Sequence, residues 1–172
     1  MDLPILETER LSIRRFTLED AAFILALVND PEWLRHIGDR KVHSLEDARG
    51  YLANRVLASY ERHGFGMWAV CLRETGEPIG TCGLIRREGL TDVDIGFAFL
   101  PGHRGKGYAL ESARSVLDHG IRALGMKRIL AIVSPANDSS IRLLEQLGMK
   151  LERMIRLPDD AEEIRLYAYD AM

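Results

Sequence analysis

Along residues 10–16, RLSIRRF, Leu11 and Ile13, with Arg15 in step, alternate against Ser12 and Arg14, and a period of two predicts a first strand. Ala21, Ile24, Leu25 and Val28 then recur at helical intervals behind Thr17 and Asp20, a capping-box spacing, and Asp30-Pro31 ends that predicted helix. Residues 31–43 carry no clear period and read as loop or a short helical turn. Ser44 with Asp47 repeats the capping signal, and Leu45, Ala48, Tyr51, Leu52, Val56 and Tyr60 continue a second helix to about residue 63. GFGMWAVCL and IGTCGLI, parted by RETGEP, predict a buried hairpin.

In 91–101, TDVDIGFAFLP, Val93, Ile95, Phe97 and Phe99 face one way and Asp94, Gly96 and Ala98 the other. One face is core; the other is unusually bare. After a glycine-rich loop, Leu110, Ala113, Leu117, Ile121 and Leu124 make a helical stripe with Ser112 and its polar neighbours off it. RILAIV, 128–133, has no polar alternation, as a strand covered on both faces should look. NDSSIRLLEQLGM gives a short helix capped by Asn137 or Asp138, with Gly148 suited to a left-handed position after its end. LERMIRL and EIRLYAY supply two last strands joined by PDDAE. The order β-α-α-β-β-β-α-β-α-β-β describes an α/β chain in which 91–133 forms one βαβ unit with parallel strands and a right-handed crossover.

Composition narrows the partners. The chain has 172 residues, 47% hydrophobic and 28% charged, as expected of one domain spanning 1–172. Its 23 Lys and Arg against 26 Asp and Glu give a formal charge of -3, so no basic field advertises nucleic acid and any anion site is local. No run of apolar residues is long enough for a membrane span, and the acidic start does not look like a leader, so a cytoplasmic protein without a membrane partner is expected. Cys71 and Cys82 lie in apolar strand-like runs and read as reduced core thiols. His36, His43, His63, His103 and His119 show no ligand spacing, so no metal is expected.

The remaining chemistry concentrates in PGHRGKGYALES. Gly102 and Gly107 have the outer spacing of a P-loop, but Tyr108-Ala109 stand where Lys-Ser/Thr must be. A dinucleotide fingerprint from Gly105 and Gly107 fails at Leu110. Two readings stay open: a tight strand-to-helix turn with solvated cations, or an anion cradle. In the second, free N–H groups and the helix dipole attract the anion, glycines allow close approach, and Arg104 and Lys106 add charge from the rim.

Arg104, Gly107 and Ala109 match the fixed positions of the R/Q-x-x-G-x-G/A signature, and the chain resembles the GNAT superfamily of N-acyltransferases. DIGFAFLPGHRGKGYALES is similar to the EIGYWL.P..RGKGYATEA run of the branch containing ribosomal-protein N-terminal alanine acetyltransferases. NDSSIRLLEQLGM is similar to that branch's N..S.R.LEKLGF, and the likeness extends to LETERLSIRRFTLEDA. The resemblance implies a mixed, strongly twisted sheet of seven strands flanked by helices, with acetyl-CoA entering a V-shaped gap between the fourth and fifth strands. It implies that the pyrophosphate rests on backbone N–H groups of Arg104, Gly105, Lys106, Gly107, Tyr108 and Ala109. The pantetheine arm would pair with the main chain of Phe97, Ala98 and Phe99.

Acetyl transfer to an amine needs a neutral nucleophile, a polarised thioester and a stabilised thiolate, with no covalent enzyme nucleophile. At pH 7 an α-amine of pKa near 8 is roughly 10% neutral, whereas a lysine near 10.4 is well under 0.1% neutral. Asp94 is the candidate base, standing where the branch commonly has Glu; its other reading is a surface or turn-linked aspartate. Asn137 is expected on the pantetheine and Ser140 near the CoA sulfur, although both also suit helix capping. Leu144 occupies the place where many superfamily members carry a thiolate-protonating tyrosine. Trp33 and Tyr51 are candidate acceptor-pocket walls, while Trp68 reads as core. The acceptor is a primary amine, either a protein N-terminal α-amine or a small molecule. A non-catalytic acyl-CoA-binding module is the alternative, and the chain is expected to be a monomer or homodimer.

Overall fold

A computed structural model describes residues 4–158 and 160–171. Its eight strands form one mixed sheet: β1 (Leu6–Glu7), β2 (Leu11–Arg14), β3 (Met67–Leu72), β4 (Pro78–Ile85), β5 (Asp94–Phe99), β6 (Arg128–Val133), β7 (Lys150–Ile155) and β8 (Ile164–Asp170). Their spatial order is β1-β2-β3-β4-β5-β6-β8-β7, so the last strand enters between the two that precede it in sequence order. Only β5 and β6 run parallel; the other neighbours are antiparallel.

The helices are α1 (Ala21–Val28), α2 (Pro31–His36), α3 (Leu45–Tyr51), α4 (Ala58–His63), α5 (Tyr108–Arg122) and α6 (Asp138–Gln146). Four expectations require adjustment. The sheet gains β1, a two-residue strand too short for any periodicity to reveal, which pairs Leu6 with Ile13. Asp30-Pro31 ends one helix but starts another: Asp30 caps α2 through the N–H of Glu32, and Pro31 sits at its first position, where a missing N–H costs nothing. The predicted helix over 44–63 is interrupted by a π-helical turn, Leu52–Leu57, between α3 and α4.

The buried face of α5 is also rotated from the predicted stripe. Ser112, Ala113, Val116, Leu117 and Gly120 are buried, while Leu124 lies beyond the helix end and is 38% exposed. Small residues win here because the helix sits close to the sheet. A Cβ on Gly120 would stand 2.8 Å from Ile129 Cδ1, and the Ser112 hydroxyl is satisfied by donating to Ala109 O at 3.0 Å.

The capping signals act as their spacing predicts. Thr17 and Asp20 form a reciprocal capping box, Ser44 Oγ accepts from Asp47 N at 3.0 Å, and Asn137 Oδ1 accepts from Ser140 N at 3.3 Å. Trp68 is 1% exposed in the core, and both free cysteines are buried there; burial pushes the Cys82 thiol up to about 12. No helix among the described residues is long and apolar enough to cross a membrane.

Candidate active site

The sheet opens at its one parallel joint. β5 pairs with β4 along its whole length, from Ile85↔Asp94 to Gly80↔Phe99, but meets β6 only at Asp94↔Leu130. Leu130 N donates to Val93 O at 2.8 Å and pins the apex; beyond it the two strands part. Main-chain groups alternate sides along a strand. Val93 O points to β6 and Leu100 N donates to Ile79 O on the β4 side, so Phe97 and Phe99 direct their main chain into the gap. Ala98 uses its own on β4. An unpaired strand edge inside a sheet can bond an extended, amide-bearing ligand arm. The bare face of β5 provides the room: the nearest atoms to a Cβ built on Gly96 belong to the Ile85 and Met67 side chains, at 3.4 Å or more.

The mouth of the gap is the start of α5. Gly107 caps it in a left-handed conformation, φ 84°, with no side-chain bond, and the N–H groups of Gly105 through Leu110 have no acceptor among the described residues. These free N–H groups and the helix dipole make an anion-receptive cradle. Arg10, on the turn before β2, braces it from behind. Its Nη1 donates to Lys106 O at 2.9 Å, its guanidinium lies 4.4 Å from the Tyr108 ring centre, and its Nε pairs with Glu111 Oε1 at 2.7 Å. Glu111 also accepts from Thr8 Oγ1 and Arg10 N. Burial alone would raise the Glu111 carboxyl, but the hydrogen bonds from Thr8 and Arg10 outweigh it and hold the group low.

Of the predicted cradle residues, Arg104, Gly105, Gly107, Tyr108 and Ala109 line the cleft, and Lys106 does not. Arg104 is not a free rim cation: its Nη2 pairs with Asp30 Oδ2 and ties the loop to the start of α2. The whole cleft has a volume of about 930 Å³ and runs from this loop, past Asn137 and Ser140 on α6, to Trp33 and Tyr51. Ser140 and Leu144, one turn apart, both line it, with Leu144 giving an apolar wall. Asn137 caps α6 and lines the cleft at once, so capping does not withdraw it from the cleft.

Asp94 is not a surface or turn-linked aspartate. It is 1% exposed, lines the cleft beside the apex, and receives Arg87 Nε and Nη2 on its two oxygens, each at 3.3 Å. Burial pushes its carboxyl up, and the Arg87 guanidinium pulls it part of the way back. A carboxylate raised in this way accepts a proton more readily than an exposed one.

Sequence reasoning missed Arg87, Arg10, Asp30 and Arg40. Arg87 could have been found, since it lies just past Ile85, which faces Asp94 across the β4–β5 hairpin. Arg40 lies in the aperiodic segment and lines the acceptor end with Trp33 and Tyr51. Its Nε and the Trp33 Nε1 are buried without hydrogen-bond partners among the described residues. Tyr51 closes α3 at the π-helical turn, an irregularity often found beside functional sites. Among the described residues no group of three His, Cys, Asp or Glu side chains could hold a metal ion.

A sheet split at a parallel joint, with an anion-receptive helix start at the mouth and a buried carboxylate at the apex, can hold an anionic ligand whose arm lies along the strand edge. The model of the Acetyltransferase (GNAT) domain matches residues 10–150, and the chain belongs to that family; it is an N-acetyltransferase. It is 34% identical over 154 residues to the uncharacterized N-acetyltransferase YoaA of Bacillus subtilis (strain 168), covering 89% of this chain and 86% of that one. It is 33% identical to the uncharacterized N-acetyltransferase p20 of Bacillus licheniformis, covering 88% and 85%. A GNAT-family acetyltransferase from Bacillus anthracis superposes with a TM-score of 0.79 at 26% identity, over 99% of this chain and 98% of that one. The fold is shared as well by RimL, a ribosomal L7/L12 α-N-protein acetyltransferase, at a TM-score of 0.82 and 17% identity, covering 99% and 96%. A RimL structure in complex with coenzyme A superposes at 0.73 and 17% identity, covering 97% of each chain.

Proposed function

We propose that the chain, acting as one domain over 1–172, transfers the acetyl group of acetyl-CoA to a primary amine by direct attack. The observation that carries this reading is the continuity of the gap: the free N–H groups of Gly105–Leu110 open onto the unpaired edge of Phe97 and Phe99, which leads to Asp94. A pyrophosphate fits the cradle, and a pantetheine arm, which carries two amides, fits the strand edge. A protein N-terminal α-amine is the acceptor that the RimL fold likeness suggests, and its favourable neutral fraction at pH 7 asks least of the base.

In this reading Asp94 takes the amine proton, directly or through water, as nitrogen attacks the thioester carbon. The C–N bond forms as the C–S bond breaks, and the thiolate leaves beside Ser140, whose hydroxyl donates a hydrogen bond to it or relays a proton to it from water. Arg87 offsets part of the burial that favours the neutral acid at Asp94. Leu144 supplies no proton, so Ser140 or water must.

The test is release of free CoA from acetyl-CoA across a panel of peptides, amino acids, polyamines and aminoglycosides, with mass detection of the acetylated product. N-acetylated product from at least one primary amine is expected. Absence of acetyl-CoA binding, read as no rise in melting temperature, would overturn the reading.

A further inference from the structure

The cleft around Trp33 and Tyr51 is lined by two guanidiniums, Arg40 and Arg87; its buried acids are paired, while Asp160 is exposed and accepts from Glu162 N at 3.1 Å. Asp94 is engaged by Arg87, Asp30 by Arg104, and Glu32 by His36 at 3.1 Å. Arg40 forms no ion pair with them, and burial, with Arg87 and Arg55 nearby, lowers its pKa while Tyr51 opposes the fall. Arg40 is partly buried, and a guanidinium drawn out of water without a counter-charge is costly unless a ligand supplies one.

Resting on the acetyl-transfer reading, we infer that the acceptor amine also carries a carboxylate, received by the Arg40 guanidinium where it lines the cleft. One uncompensated cation matches a monoanion. A phosphate monoester, carrying about -1.5 to -2 at neutral pH, would leave the site negative, and a polyamine would meet the arginines as like charges. The carboxylate fixes the far end of the acceptor, so its amine is presented to Asp94 rather than merely tethered.

The test compares acceptors whose α-amines are alike and whose remote groups differ: Ala-Glu amide against Ala-Gln amide, with spermidine and phosphoethanolamine alongside. We expect kcat/KM for the Glu peptide to exceed that for the Gln peptide by about tenfold or more, the scale of one charge-assisted hydrogen-bonded contact. Arg40→Met should bring the ratio close to one, and Arg40→Lys should keep part of it. A native ratio of one or less overturns the inference, as does a preference for spermidine or phosphoethanolamine. So does a ratio unchanged in a folded Arg40→Met variant that still gains stability from acetyl-CoA. Should that variant not fold, the native ratio and Arg40→Lys decide.

Failure of the underlying reading looks different, because acetyl-CoA would then be neither bound nor consumed. In that case calorimetric titration with N-acetylglutamate and its diamide decides the inference: tighter binding of the acid by about tenfold supports it, and equal or absent binding overturns it.

Discussion

Gly107→Glu is the sharpest test of the cradle. Gly107 has φ 84°, and a Cβ there would come within 3.2 Å of Arg10 Nη2, the guanidinium that holds Lys106 O. The left-handed conformation costs a non-glycine residue about 1–2 kcal/mol. In a domain of this size that lowers the melting temperature by about 2–8 °C. The same substitution places a carboxylate among N–H groups that otherwise meet a pyrophosphate. Native protein at 100-fold the acetyl-CoA Kd should gain about 2.7 kcal/mol, roughly 5–11 °C. A hundredfold loss of affinity leaves only about 0.4 kcal/mol at the same concentration, near 1 °C.

Gly125→Glu is the control. It carries the same charge at φ 70°, with nothing within 4 Å of its Cβ, just past the opposite end of α5. It should lower the melting temperature of the free protein while leaving the ligand-induced rise intact. Differential scanning fluorimetry with and without acetyl-CoA reads both. A full ligand-induced rise in Gly107→Glu, or an equal loss in Gly125→Glu, would refute the cradle.

Other residues give separable outcomes. Asp94→Asn should lower kcat/KM by about 10²-fold at neutral pH, as loss of a general base does. Because its folded carboxyl lies above the ordinary 3.8, Asp94 stabilises fully only below that value and loses the contribution as pH rises through the folded pKa. The melting temperature of the Asn variant relative to native should therefore climb from pH 4 to pH 7; a relative fall would mean the carboxyl is depressed instead. Ser140→Ala should lower kcat about tenfold with KM for acetyl-CoA unchanged, and an unchanged kcat would leave the thiolate to water. Arg10→Gln should raise the KM for acetyl-CoA about tenfold at similar kcat, because it unbraces the loop without touching the reacting atoms. It also releases Glu111, whose lowered pKa stabilises above the ordinary 4.5 and stops doing so as pH falls through the folded value. The variant's deficit in melting temperature should shrink on acidification, and a deficit constant with pH would assign it to packing alone.

Much that positions the site is local, and local features can be read from sequence. The capping residues Thr17, Ser44 and Asn137 choose their bonds within three positions, so spacing alone specifies them. The glycine loop is similar: Gly107 must be glycine because of its own backbone angle, and the free N–H groups follow from where α5 begins. The bare face of β5 follows from a period of two. The breaks come where neighbours in space are distant in the chain. Ser112 looks polar and exposed until the close approach of α5 to the sheet buries it. Arg104 looks like a rim cation until Asp30, 74 positions away, claims it.

What the sequence by itself determined is therefore the shape of each part: the strand–loop–helix that holds an anion, the strand with one empty face, and the family signature that joins them. Only the tertiary structure decided which charges are spent. It inserted β8 between β6 and β7, held β5 to β6 at a single point, set Arg87 against Asp94 and left Arg40 without an acid. Periodicity and capping depend on a residue and its near neighbours. Burial and charge balance depend on every element that closes around a group, and those arrive from both ends of the chain.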